Sequence, residues 1–118
     1  MKYLCLGYHE ESKILALGED ERNALAEECR AYDELLWRNG HCLKGNALPP
    51  SEGAMTLRFN HGKVRLAEGP FIQMPEQLGG ILLLEANDLN HAIQLMSQLP
   101  AMRLGGALEI RPVRADGP

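Results

Sequence analysis

Glu68 and Glu76 stand on either side of a segment that also holds Pro70, Phe71 and Pro75. A carboxylate in a partly apolar cleft has its charged form disfavoured, so it can take or give a proton near neutrality. The two prolines restrict the backbone around the acids, and Phe71 offers an apolar wall. Glu76 is favoured for proton transfer because Gly79-Gly80 lie close by, where a ligand can approach bare backbone. For Glu68 the plainer reading is a solvated or amide-capping residue beside a Gly69-Pro70 turn, because tuning a carboxylate needs burial.

Arg58 and Arg65 form a second constellation. With His61-Gly62 as a turn, the two guanidinium groups face each other across a hairpin, and like charges so placed repel unless an anion joins them. Arginine is shaped to hold a carboxylate or phosphate, so the pair fits substrate binding beside Phe71. The alternative is a solvated face, or pairing with an acid such as Glu109. His9 leaves the first strand beside Glu10 and Glu11 and is a third candidate for proton transfer. His41, His61 and His91 read as a helix-end residue, a turn residue and an outward helix residue. No histidine pairs with another His or Cys at metal-ligand spacing, so no metal is expected. No phosphate loop, dinucleotide fingerprint or nucleophile elbow is present, and no cofactor is expected.

These residues need rigid elements to hold them. Tyr3 to Tyr8 is apolar on both phases, which marks a strand covered on both faces. Residues 9 to 19 read as irregular, with a turn of helix near Lys13 to Leu17. Asp20 is placed to cap a helix running to Asn39, with Leu25, Cys29, Tyr32 and Leu36 on one stripe and Gly40 as its stop. Cys42 to Ala47 forms a short strand. Met55, Leu57 and Phe59, then Val64 and Leu66, alternate with polar residues around His61-Gly62 and predict a hairpin. Leu78 to Glu85 is a second continuous apolar strand, so Glu68 and Glu76 fall in the loop before it. Asp88 caps a helix with Leu89, Ala92, Ile93, Met96 and Leu99 inward, and Ala107 to Val113 is the last strand. Gly79-Gly80 and Gly105-Gly106 read as bends at strand edges.

The order is that of a split βαβ unit: an α+β ferredoxin-like sandwich with two helices on one face of an antiparallel sheet. Since the central strands are apolar on both phases, the open face needs a cover, and a second copy is the simplest one. The chain of 118 residues is one domain, residues 1–113, with a loose tail over 114–118. A formal charge of -4 argues against nucleic acid as a partner. No apolar run approaches the roughly 20 residues of a membrane helix, and Met1-Lys2 opens into a strand rather than a leader. Cys5, Cys29 and Cys42 make no C-x-x-C pair and read as small buried hydrophobes of a cytoplasmic protein.

Glu68-Gly69-Pro70-Phe71 resembles the "DGPF" signature of the YCII-related proteins, and Glu76 to Gly80 resembles the "KEQLGG" run that follows it. Leu48-Pro49-Pro50, Ala54 to Arg58, Asn87-Asp88-Leu89, Gly106 to Val113 and the Lys2-Tyr3-Leu4 opening match in the same order. The chain departs at two positions: Glu68 stands where the signature has aspartate, and Pro75 where the run has lysine. The resemblance implies sheet-to-sheet pairing as a dimeric α/β barrel. It also implies two functions. One is cofactor-free acid-base chemistry on a small anionic or phenolic compound, of the lyase, isomerase or dehydrochlorinase kind, since one class of relatives dehydrochlorinates a chlorinated hydroxyquinol. The other is a non-catalytic regulatory module, since relatives encoded near alternative sigma factors point to a sigma-factor partner. The His-Asp pair attributed to some relatives has no motif match here.

Overall fold

In the computed structural model, which describes residues 1–114, the two apolar strands lie side by side. β1 (Lys2–Glu10) pairs antiparallel with β5 (Glu76–Glu85), and β2 (Cys42–Ala47) and β6 (Ala107–Pro112) flank them in the order β2-β5-β1-β6. This is the ferredoxin-like strand order, with helices on one face of the sheet. Tyr3, Cys5, Leu82 and Leu84 point to that face and are buried beneath Leu36, Ala92 and Met96. Leu4, Leu6, Ile81 and Leu83 take the other phase and leave an apolar sheet face uncovered by this chain.

Three helices are present rather than two. α1 (Glu11–Leu15) follows β1 directly, where the sequence reads as irregular. α2 (Glu19–Arg38) starts after Gly18, so Asp20 lies in the first turn, where its charge suits the helix dipole, and makes no cap. It stops at Asn39, with Gly40 at φ 76°. α3 (Leu89–Met96) is capped as expected, Asp88 Oδ1 accepting from the His91 N–H at 2.8 Å. Its inward stripe is rotated from the expected one: Ala92 and Met96 are buried and Leu95 packs beside them, while Leu89 and Ile93 stay about half exposed. A 3₁₀ turn over Pro100–Leu104 leads into β6.

The hairpin β3 (Met55–Asn60) and β4 (Lys63–Glu68) forms as read, with His61 at φ 50° and Gly62 at φ 75° in the turn and Arg58 directly opposite Arg65. It is a separate two-stranded ribbon inserted between β2 and β5. The described chain measures 46 × 44 × 19 Å with a radius of gyration of 16.1 Å, against roughly 13.5 Å for a compact domain of this length. No helix among the described residues is long and apolar enough to cross a membrane. The expected loose tail falls mostly on residues 115–118, outside the described residues.

Candidate functional site

Two positions move when the strands are drawn. Glu76 is the first residue of β5 rather than a loop residue, and Gly79-Gly80 lie inside that strand. Gly7 pairs with Gly80 and Tyr8 with Leu78, which leaves Gly79 as the extra residue of a β-bulge. Diagonal to the bulge, His9 pairs with Gln77, continues the phase of Tyr3, Cys5 and Gly7 and turns toward the helices. A Cβ built on Gly79 would stand 1.9 Å from His9 Cε1 and 2.3 Å from its Nδ1. The imidazole therefore rests on bare backbone, and no larger residue at 79 leaves room for it.

His9 faces a cavity of about 880 Å³ between α2 and the sheet. The cavity exists because α2 packs closely only near its C-terminal end, where Leu36 is its one buried residue, while the N-terminal half stands off the strands. Ile14, Leu17, Leu25, Leu99 and Met102 give it an apolar lining, and Arg22, Cys29, Asp33 and Asn46 contribute polar atoms. Asp33 is exposed, yet partial desolvation where it borders the cavity pushes its carboxyl above the usual range. Neither His9 nor Asp33 makes a hydrogen bond or ion pair within the described residues. Cys29, one turn before Asp33, is raised by burial and by that carboxylate. Burial likewise raises Cys42, and it lifts Cys5 to about 11. The thiols thus behave as the small hydrophobes that their spacing suggests, with Cys5 and Cys42 buried. No group of three or more His, Cys, Asp or Glu is gathered for a metal among the described residues.

A second cavity, of about 730 Å³, opens on the other face of the sheet beside Tyr8, Leu78 and Ala107. Its walls are the two connections to the hairpin, Leu48 to Ala54 on one side and Pro70 to Met74 on the other. Gln77 Nε2 holds the latter by donating to the carbonyls of Ile72 (3.0 Å) and Met74 (2.9 Å). The Leu48–Ala54 connection is tied to α1, since the Glu11 carboxylate accepts from both the Oγ and the N–H of Ser51. These bonds hold the Glu11 carboxyl below the usual range.

The candidates from sequence divide among three places. His9 faces the larger cavity. Glu76 and Phe71 line the smaller one, with Glu76 directly opposite Glu10 across the strands. Glu68, Arg58 and Arg65 are exposed on the hairpin, where the Arg58 guanidinium lies 4.8 Å from the centroid of Phe71. Glu109 does not serve the arginine pair; it accepts from Arg111 Nε at 2.7 Å. His91 accepts from the Asn87 N–H through Nδ1, and His41 Nδ1 lies 3.0 Å from the Glu85 carbonyl. The one signal of Asp33 in the sequence is its place a turn after Cys29, on the border of the stripe through Cys29, Tyr32 and Leu36.

The model of the YCII-related domain matches residues 1–115. The chain belongs to the YCII-related family. It is 29% identical over 114 residues to an uncharacterized protein of Rhizobium meliloti (strain 1021), covering 96% of this chain and 92% of that one. Among solved structures it is similar to the 5-chloro-2-hydroxyhydroquinone dehydrochlorinase of Burkholderia phenoliruptrix AC1100, in complex with 2,5-dihydroxybenzoquinone. That match has a TM-score of 0.54 at 15% identity and covers 100% of both chains. At that identity the likeness establishes the shared ferredoxin-like fold.

Proposed function

We propose that this YCII-related protein is a cytoplasmic, cofactor-independent acid-base enzyme acting on a small phenolic or anionic compound in the cavity beneath α2. One observation carries the reading: an imidazole and a carboxyl group, both without hydrogen-bond partners in the described chain, face one largely apolar cavity large enough for a substituted ring. Unspent donors and acceptors in such a place are free to serve a ligand. Here His9 rather than Glu76 is the proton-transfer group, Asp33 is its counterpart, and Glu76 and Phe71 belong to the second cavity. Glu68, Arg58 and Arg65 lie outside both.

The chemistry of the structural neighbour's substrate suits such a pair. Losing HCl from a chlorinated hydroxyquinol removes two hydroxyl protons and returns one to the ring carbon that bears chlorine. Chloride leaves with its bonding pair, so the ring reaches the quinone level without an outside oxidant. One group must accept a proton while another donates one. An imidazole and a carboxyl raised by partial desolvation are the two kinds of group that exchange protons in this way. The test is a thermal-shift screen against hydroquinones, phenols and aromatic acids, followed by chloride release from chlorinated hydroquinones. A ligand at ten times its dissociation constant adds about 1.4 kcal/mol to stability. The reading fails if no such compound binds, or if His9→Asn and Asp33→Asn bind and turn over the hit as the parent does.

We further infer a homodimer through the open sheet face. Leu4, Leu6, Ile81 and Leu83 lie there without a cover, and the single chain is only 19 Å thick. A second reading, a regulatory module with a sigma-factor partner, is favoured by the exposed apolar hairpin. It is tested by whether a purified alternative sigma factor binds and displaces nothing from the cavity.

A further inference from the structure

We propose that the β3–β4 hairpin is an arm that packs its apolar face onto a second copy of this chain. The inference rests on the dimer reading above and adds the part of the molecule that completes the contact. Alternation sorts the ribbon into two faces. Met55, Leu57, Phe59, Val64 and Leu66 share one of them, and all five are exposed, from 50% for Leu57 to 78% for Phe59. The other face carries Arg58, Arg65 and Lys63. An isolated two-stranded hairpin is marginal in water, and this one turns its largest side chains away from its own core.

Two observations select a second copy as the cover. The first is size. A stable interface takes about 20–30 residues a side, and the outward positions of the four-stranded sheet number about fifteen. The sheet face alone falls short, and the arm supplies most of the remainder. The second is charge. Residues 55–68 carry three cations and one acid, net +2, within a chain of formal charge -4, so the rest of the chain carries -6. The described structure shows no salt bridge between the arm and its own body. A basic arm that is not spent on its own acidic body is complementary to the body of a copy. Two-fold pairing satisfies both arms at once and closes the assembly. Because both connections to the arm are walls of the second cavity, docking the arm also fixes the walls around Glu76 and Phe71.

The test is sedimentation equilibrium of the full chain beside two variants. Leu57→Lys with Leu66→Glu makes the apolar face polar and places opposite charges across the strands, which preserves the hairpin; Phe59→Ser removes one exposed side chain. Circular dichroism confirms that both are folded. The parent is expected to be dimeric at micromolar concentration. The double variant should dissociate at least tenfold more readily, and Phe59→Ser should weaken the dimer in the same direction. Amide exchange in 55–68 should slow as the parent concentration rises through its dissociation constant. A dimer unchanged in both variants overturns the arm while leaving the sheet-face dimer standing. A monomeric parent overturns both.

Discussion

Replacing Gly79 by alanine tests the site through one atom. The new Cβ would lie 1.9 Å from His9 Cε1, and ordinary contact begins near 3.4 Å, so the ring must retreat by about 1.5 Å. The glycine does not sit at positive φ, so the backbone accepts alanine and the whole conflict falls on the imidazole. Overpacking of this kind costs about 1–3 kcal/mol. Loss of chain entropy in the unfolded state returns about 0.4–1 kcal/mol. The net is a destabilisation of roughly 1–2 kcal/mol, or about 4–8 °C in melting temperature for a domain near this size.

Gly80 provides the matched control. A Cβ there meets only the Asn46 carbonyl at 3.7 Å, an ordinary contact, so Gly80→Ala should stay within about 0.5 kcal/mol of the parent. Removing the ring should also rescue Gly79→Ala: in a double-mutant cycle with His9→Ala, the coupling should be about 1–2 kcal/mol. Urea denaturation of the four proteins measures stability, and the phenol screen measures the site. Gly79→Ala should lose ligand binding even at temperatures where it is fully folded, because the imidazole has left its place. The reasoning is refuted if Gly79→Ala is as harmless as Gly80→Ala, or if the cycle is additive.

Gly106→Ala should cost more than Gly79→Ala, about 3 kcal/mol, because its Cβ would meet the Tyr8 carbonyl oxygen at 2.2 Å and a backbone cannot rotate away; urea denaturation compares the two. Asp33→Asn should raise the melting temperature at pH 7. Burial lifts the folded carboxyl above its ordinary value of 3.8, so ionisation opposes folding at neutral pH, and the difference from the parent should vanish as pH falls below both values. Ser51→Ala acts in the opposite sense. The Ser51 Oγ bond, which alanine removes while the backbone N–H bond stays, is the larger cause that holds the Glu11 carboxyl below its ordinary 4.5, so the stability it lends is full above 4.5 and is lost as pH falls through the lower folded value. Melting curves from pH 7 to pH 3 should show the deficit of Ser51→Ala shrinking. Cys5, lifted to about 11, should be about 0.1% thiolate at pH 8. It should react with iodoacetamide at least 100-fold more slowly in the native protein than in urea.

The architecture was legible because the two central strands carry apolar residues on both phases, the hairpin carries strict alternation, and Asp88, Gly40 and His61-Gly62 sit where caps and turns need them. The misses have physical causes. The stripe of α3 was assigned through Leu89 and Ile93, but the sheet meets the helix at Ala92 and Met96, and rotation about a helix axis depends on tertiary contact. The bulge at Gly79 is set by the register between β1 and β5, which no single strand displays. Glu76 reads as a loop residue because the apolar run starts only at Leu78, yet Glu76 and Gln77 already pair with β1. Asp33 lies on the edge of a helical stripe, where an acid looks like part of the wet face; it lines the cavity because α2 packs closely on the sheet only at Leu36.

That stand-off and the bulge belong together. Any residue with a Cβ at 79 would place it against His9, and the imidazole could not lie over the strand as it does. A fully seated α2 would fill the space that the imidazole faces. Each feature sacrifices some packing, and the described core is correspondingly small, with nine buried residues among 114. A chain that leaves so much apolar surface on its sheet face and hairpin gains stability from any partner that covers it. Dimerisation can supply that stabilisation while the cavity beneath α2 stays open. The prediction that joins the two halves is a stability one: the Leu57→Lys, Leu66→Glu variant should melt at a lower temperature than the parent even though both substituted positions are exposed in the single chain. Its melting temperature should also lose the rise with protein concentration that a dimer shows. An identical, concentration-independent melting temperature in both proteins would mean that the open core is stable alone, and that the hairpin serves another partner.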